Sequence, residues 1–306
     1  MCIVPGSDKD AEAHREIDDL TQSMRTHGVS VQGRYVRGVA HKQLGHLDAA
    51  LDDLTWVVEQ GGVDRDIWGR AQHFRAVCLR RTGHPRAALE AAEGALKCNR
   101  NTPSTWVHRG YLHSILGDHG AAHDDYDRSL DIDPDHGLTF IYRGNGWYWQ
   151  HDLDEAIADY NRVVDIFGDS LAYLTFHNRG VAKLTGGDIA GALEDLNRAE
   201  RMRPFDPLLP LSPKPLACRG LAHLVVGDLE AAEHDLHESS HLGFDMVGVV
   251  AWAALEARRG RPEEMQQFGA ALIDGHRDGV AAGMAAYVSV LNDPVTMLPD
   301  LHPLMA

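Results

Sequence analysis

The sequence has 306 residues, of which 44% are hydrophobic, so it can bury a continuous core and is not a disordered chain. Its 45 acidic and 29 basic side chains give a formal net charge of −16, which repels a phosphate backbone, so we expect no nucleic-acid partner. The first residues lack a basic segment followed by an apolar stretch, and the longest apolar runs are shorter than the roughly 20 residues of a membrane span. We therefore expect a soluble, cytoplasmic protein that does not bind membranes.

In chain order, the first predicted element is an N-terminal capping helix at Asp8–Met24, within residues 1–30. From Val31 to Phe244 the sequence then repeats itself six times, at intervals of 34 to 40 residues. Each unit carries an arginine followed by a small residue: Arg37-Gly38, Arg75-Ala76, Arg109-Gly110, Arg143-Gly144, Arg179-Gly180 and Arg219-Gly220. Seven residues after the small residue comes a glycine in every unit but one, where His151 stands, and twelve residues after it an alanine in every unit.

Each unit consists of two stretches with an apolar spacing near 3.6, separated by the glycine turn, which is the pattern of an αα-hairpin. The repeated markers resemble those of the tetratricopeptide repeat family. The resemblance implies an all-α fold, a right-handed superhelix (α-solenoid) of about six to seven helical hairpins with capping helices at both ends. One hairpin cannot bury its apolar face alone, and stacked neighbours bury it together.

On this interpretation residues 31–275 form the solenoid, with a degenerate seventh unit around Ala253. The proline-rich segment 204–215 lengthens one connection within the array, and a domain boundary there is the alternative. Residues 276–306 supply a C-terminal capping helix, predicted at Val280–Leu291, and a tail.

Five of the repeated arginines have an aspartate sixteen residues later, which predicts a partly buried ion pair that fixes the register of each hairpin. The exception is Arg75, which has Ala91 at that place and needs another partner, in a neighbouring repeat or in a ligand.

The resemblance implies that the first helix of each hairpin lines a concave groove. The groove is then basic near its N-terminal end, aromatic in the middle and apolar toward its C-terminal end. Such a groove predicts a protein-interaction module, that is, an adaptor, scaffold or co-regulator. Its partner would be an extended or helical segment that is acidic at one end and apolar at the other. The predicted groove residues are Lys42, Arg70, His73, Arg75, Arg80, His108, Tyr111, Asn145, Tyr148 and His177. The alternative for the basic side chains is that they form salt bridges with neighbouring acids on a solvated face.

Two further hypotheses concern what else the groove does. A small-molecule site or an enzyme would assemble across repeats, with His73, Arg75, His108 and Tyr111 converging. The apolar C-terminal end would be covered by a partner, by the protein's own tail or by a second copy in a homodimer.

No recognisable catalytic motif is present, so we predict no catalytic residues, no cofactor and no metal. Histidines at helical spacing occur in two sets on second helices: His119 with His123, and His234 with His237 and His241. Either set could bind Zn²⁺ or Ni²⁺, but second helices tend toward the outer surface and no ligand converges from elsewhere, so we interpret both as surface residues.

Overall fold

The computed structural model describes residues 7–98, 101–168, 172–202, 214–242 and 246–259. Within these ranges the chain forms fourteen α-helices and no strand, so the predicted all-α fold is confirmed. The helices are α1 Ser7–His27, α2 Val31–Gln43, α3 Leu47–Glu59, α4 Arg65–Arg81, α5 Pro85–Lys97, α6 Pro103–Ile115, α7 His119–Ile132, α8 Gly137–Trp149, α9 Leu153–Phe167, α10 Ala172–Thr185, α11 Ile189–Arg201, α12 Lys214–Val226, α13 Leu229–Leu242 and α14 Met246–Arg258.

The repeated turn separates the two helices of each hairpin because it requires a left-handed backbone. At the five glycine turns φ is positive, between 77° and 85°, a region that glycine enters without steric cost: Gly45, Gly83, Gly117, Gly187 and Gly227. His151 takes the same kind of conformation, with a φ of 65°, so the sixth turn forms without glycine. Three of the second helices begin on side-chain caps, since Asp118 accepts from the amide of Ala121, Asp188 from that of Gly191 and Asp228 from that of Ala231, whereas α3, α5 and α9 begin without one.

The repeated small residue lets the two helices of a hairpin approach closely. A Cβ atom on Gly144 would lie 2.7 Å from Cε1 of Tyr160, and one on Gly110 would lie 2.8 Å from Cε1 of Tyr126. The alanine twelve residues after the small residue is buried in all six units, at 0–2% exposure: Ala50, Ala88, Ala122, Ala156, Ala192 and Ala232. Because that alanine is already small, the small residue of the first helix is needed mainly to leave room for the side chain sixteen residues after it.

The chain divides into two compact units, and the first ends at Tyr142, inside α8. In the first unit each helix from α1 to α7 packs against the next, and α4 also contacts both α2 and α6. The first helices of the hairpins therefore form one layer. The core beneath includes two clusters in which alanine is the commonest buried residue, one with Leu54 and the other with Leu112 as a larger member.

The second unit begins at Arg143 and repeats this arrangement. Sequence neighbours from α9 to α14 pack together, and α12 also contacts α10 and α14. Its core is larger and richer in leucine and tyrosine, with Tyr160, Leu196 and Leu236 at its centre.

The predicted ion pairs are present in all five hairpins. Each arginine donates two hydrogen bonds to its aspartate, at 2.5–2.9 Å, and each aspartate is only 2–7% exposed: Arg37 with Asp53, Arg109 with Asp125, Arg143 with Asp159, Arg179 with Asp195 and Arg219 with Asp235. Some of these carboxylates bind a second cation, as where Nζ of Lys183 lies 2.7 Å from Asp195. The pair lies within a single hairpin, so it sets the register of its own two helices.

The ends of the predicted array are only partly described. Helix α1 covers the predicted capping helix and packs against α2. The proline-rich segment lies outside the described residues except for Lys214 and Pro215, which begin α12, and the predicted helix at Val280–Leu291 lies wholly outside them.

Candidate functional site

In the first unit, cationic, aromatic and imidazole side chains of the layer of first helices come together on one surface. We call this surface the cation–aromatic face; it consists of Lys42, His73, Phe74, Arg80, His108, Tyr111 and Tyr142. All seven residues come from α2, α4, α6 and the first half of α8.

The two cations of this face lie against aromatic rings. Nζ of Lys42 is 4.8 Å from the ring centroid of Phe74, and Cζ of Arg80 is 5.1 Å from that of Tyr111. Both distances fall within the range of a cation–π interaction. Among the described residues, neither cation has a carboxylate within salt-bridge distance, and Nε of Arg80 is buried without a hydrogen-bond partner.

Two imidazoles belong to the same face. The His73 ring packs edge to face on Phe74 and on His108, with centroids 5.3 and 5.2 Å apart. Nδ1 of His108 donates to the carbonyl oxygen of Ser104 at 2.5 Å, which leaves Nε2 as the acceptor of the neutral ring. Burial lowers the pKa of His108, and the positive charges of Arg80 and Lys42 lower it further.

A tyrosine from the second helix lies under the aromatic end of the face. The rings of Tyr111 and Tyr142 are 5.1 Å apart in an edge-to-face arrangement, and the ring of Tyr126 passes beneath Gly110. Tyr126 is fully buried, and its hydroxyl has no hydrogen-bond partner among the described residues. Burial raises the pKa of Tyr126 well above its usual value, so the group is a neutral hydroxyl at physiological pH.

Two predicted groove residues of the first unit lie apart from this face. Arg70 is exposed and forms an ion pair with Asp66, with 2.8 Å between Nε and Oδ2. Arg75 donates to Gln72 at 3.3 Å, and the Gln72 amide lies beside Gly94 of α5, so Arg75 faces its own hairpin. Of the four residues expected to converge, His73 and His108 are in ring contact, Tyr111 lies under Arg80, and Arg75 bonds to Gln72. A small-molecule site assembled across repeats stays a hypothesis.

The predicted groove residues of the second unit belong to a different environment. Oδ1 of Asn145 accepts from the hydroxyl of Tyr160 at 2.7 Å and from Nδ2 of Asn178 at 2.8 Å. Tyr148 is 5% exposed and its hydroxyl lies 3.3 Å from that of Thr185, so it packs in the core and offers no surface to a partner. His177 lies in α10 and is partly buried.

Phe74 and Tyr142 are not among the predicted groove residues, although the repeat carries a signal for both. Each residue stands immediately before the repeated arginine, the register that also holds His108 in α6. The contacts of Phe74 with Lys42 and of Tyr142 with Tyr111 indicate that this register faces the neighbouring first helix. A comparison of the repeats at that register would have found the aromatic residues.

Neither histidine set on the second helices forms a metal site in the described part of the chain. The rings of His237 and His241 have centroids 4.4 Å apart. Within the described ranges, however, no three His, Cys, Asp or Glu side chains are arranged to hold a metal ion. In the same ranges, no helix is both long enough and apolar enough to cross a bilayer.

Comparison with known proteins agrees with the architecture. Residues 103–136, which contain α6 and α7, match the sequence model of the tetratricopeptide repeat. A search of curated proteins by sequence finds no match.

Solved structures with the same fold include tetratricopeptide-repeat proteins. One from Parabacteroides merdae has a TM-score of 0.61 at 14% identity, over 92% of this chain and 99% of that one. The pilus biogenesis factor PilW has a TM-score of 0.60 at 16% identity, over 71% and 98%. The Cut9-Hcn1 hetero-tetramer of the APC/C gives 0.67 at 15% identity over 81% of this chain, which spans only 46% of that one. The resemblance predicted from the sequence is confirmed: the chain carries a tetratricopeptide repeat at residues 103–136 and has the helical-hairpin fold of tetratricopeptide-repeat proteins.

Proposed function

We propose that this chain is a protein-interaction module that binds an acidic protein segment on the cation–aromatic face. The observation that carries the proposal is the state of Lys42 and Arg80. Both lie over aromatic rings, and neither has a carboxylate partner among the described residues of a chain with a net charge of −16. By contrast, an aspartate binds the repeated arginine in five hairpins, and Asp66 binds Arg70.

The chemistry of the face suits a segment that carries carboxylates beside apolar side chains. A charge-assisted hydrogen bond from Lys42 or Arg80 to a carboxylate contributes about 1.5–3 kcal/mol, more than a neutral one. The rings of Phe74 and Tyr111 hold the two cations in place and offer apolar surface beside them. Salt screens exposed charges beyond roughly 8 Å at physiological ionic strength, so the nearby cations outweigh the distant acids that give the chain its negative charge.

Peptide display tests the proposal. A random peptide library is selected on the immobilised full chain at physiological ionic strength, and selected peptides are measured against Lys42→Glu/Arg80→Glu. We expect the selected peptides to be enriched in Asp and Glu beside apolar residues, and the double variant to bind them at least about tenfold more weakly, because it removes two charge-assisted contacts.

The matched control is Arg86→Glu/Arg128→Glu, which makes the same change of net charge at two exposed residues of the second helices α5 and α7. This variant is expected to bind within about twofold of the unchanged chain, since exposed charges at a distance are screened. Circular dichroism checks that both variants keep their helices. Selected peptides without acidic residues, or equal losses in both variants, would show that the cation–aromatic face is not the binding surface.

A further inference from the structure

His108 has one nitrogen that can change its proton. Its Nδ1–H is held by the carbonyl oxygen of Ser104, one helical turn earlier in α6, so a proton can be gained or lost only at Nε2. The ring packs edge to face on His73, which fixes its position in the middle of the cation–aromatic face.

Every charged or titratable group known to act on His108 is basic. Lys42 of α2 and Arg80 of α4 act on it, together with His136 immediately before α8, and His73 of α4 touches its ring. Among the described residues, no carboxylate contributes to its titration. Burial is the largest cause of the lowered pKa of His108; the hydrogen bond to Ser104 opposes it, and Arg80, Lys42 and His136 lower the pKa further. In the unbound protein at neutral pH, the ring is therefore uncharged.

We infer that binding of an acidic segment to the cation–aromatic face is coupled to the uptake of one proton from solvent at Nε2 of His108. The inference rests on the proposed function and deepens it. A carboxylate placed near Lys42 and Arg80 offsets the charges that disfavour a protonated His108 and accepts a hydrogen bond from its Nε2–H. The protonated ring then becomes a third positive group that holds the segment.

The direction of the pH dependence follows from this coupling. The bound state holds the proton more tightly than the unbound state, so affinity rises as pH falls through the pKa of His108 in the bound state. Below the pKa of the unbound state the ring is protonated in both, and no further gain follows. A difference of one unit between the two pKa values corresponds to a change of up to about tenfold in affinity.

Calorimetry with the full chain tests the inference. The probe is the tightest acidic, histidine-free peptide from the display selection, titrated at pH 6.0 and 7.5 in two buffers with different ionisation enthalpies. Its Asp and Glu side chains stay ionised at both pH values, because their pKa values lie near 4. We expect affinity about fivefold higher at pH 6.0. By proton linkage this corresponds to a net uptake of about half a proton on average between the two pH values, which the difference in binding heat between the two buffers measures.

Two variants assign the proton to its residue. His108→Gln is expected to bind the peptide with the same affinity at pH 6.0 and 7.5 and without proton uptake, whereas His84→Gln, at an exposed position before α5, keeps the pH dependence. If His108→Gln fails to fold, NMR titration of His108 in the unchanged chain, with and without the peptide, reports the shift directly.

The outcomes separate the two proposals. Acidic peptides that bind with the same affinity at both pH values and without proton uptake would overturn the coupling and leave the interaction surface standing. The same holds if NMR finds one pKa for His108 in both states. A selection that yields no acidic peptide at either pH would overturn the proposed function and the coupling together.

Discussion

Immediately after the repeated Arg-Gly pair, the first unit carries Tyr111 where the second unit carries Asn145, and the tyrosines packed beneath them behave differently. Tyr160 donates its hydroxyl to Asn145, which also accepts from Asn178. Tyr126 stands at the equivalent place, but its neighbours are the rings of Tyr111 and Tyr142, and its hydroxyl has no partner among the described residues.

The two regions share their framework and differ in the residues beside the buried tyrosine, which are Tyr111 and Tyr142 in the first unit and Asn145 and Asn178 in the second. Both hairpins have the arginine–aspartate pair and the glycine beneath a tyrosine. In the second unit the side-chain amide of Asn145 accepts hydrogen bonds from Tyr160 and Asn178. In the first unit aromatic rings pack against Lys42 and Arg80, which have no acidic partner in the described ranges. We therefore expect the shared framework to determine stability, and the residues flanking the Arg-Gly pair to determine what each region binds.

The largest expected effect comes from breaking the shared framework. Asp125→Ala in the first unit and Asp195→Ala in the second should each lower the free energy of unfolding by about 3–5 kcal/mol, because partly buried cations lose their carboxylate. Urea unfolding followed by circular dichroism measures the change. Asp131→Ala is the control, since its pair with Arg128 is exposed and contributes about 1 kcal/mol or less. Similar decreases in the free energy of unfolding for all three variants would show that the buried pairs stabilise the fold no more than an exposed pair does.

A smaller effect is expected where the two helices of a hairpin approach each other. Gly110→Ala and Gly144→Ala place a Cβ against a tyrosine ring, and overpacking of about 1–3 kcal/mol exceeds the gain of up to about 1 kcal/mol in helix propensity. Thermal unfolding of both variants, beside Gly61→Ala, measures the difference. Gly61 has no atom within 4 Å of the added carbon, so its substitution should be nearly neutral. A stabilised Gly144→Ala would contradict the close approach.

The smallest effect distinguishes the two tyrosines themselves. Tyr160→Phe removes a hydrogen bond and leaves Asn145 with one donor fewer, so it should lower the free energy of unfolding by about 1 kcal/mol. Tyr126→Phe removes a buried hydroxyl that has no partner, so it should be neutral or stabilising by up to about 1 kcal/mol. Parallel urea titrations compare the two variants, and equal losses in both would remove the distinction between the units.

Most of the fold follows from the sequence because every hairpin obeys the same constraints. The turn needs a positive φ, the close approach needs a small residue, and the buried aspartate needs its arginine, so the markers recur at fixed offsets. Even the exception at His151 keeps the turn conformation. Repetition thus turns weak local signals into a firm prediction of helical hairpins.

The cation–aromatic face is harder to predict because a stripe along one helix does not specify what the neighbouring helices contribute. Tyr148 lies in the predicted stripe but packs beside Thr185 of the next first helix. Phe74 lies one residue outside the stripe and nevertheless supports Lys42. The ion pair of Arg70 could have been predicted from the sequence, because Asp66 precedes Arg70 by one helical turn. Contacts between successive repeats depend on the angle at which the hairpins stack, which a single repeat does not specify.

The ion pair within each of the five hairpins has a consequence for how such an array can grow or shrink. Its two charges are supplied sixteen residues apart by the same hairpin, so each copy brings a buried anion together with its own counter-charge. Duplication or deletion of one complete unit leaves no orphaned carboxylate in the interior. The array can therefore lengthen or shorten by whole units without leaving an unpaired buried charge where two units meet. Each added unit also brings first-helix positions whose side chains are free to diverge.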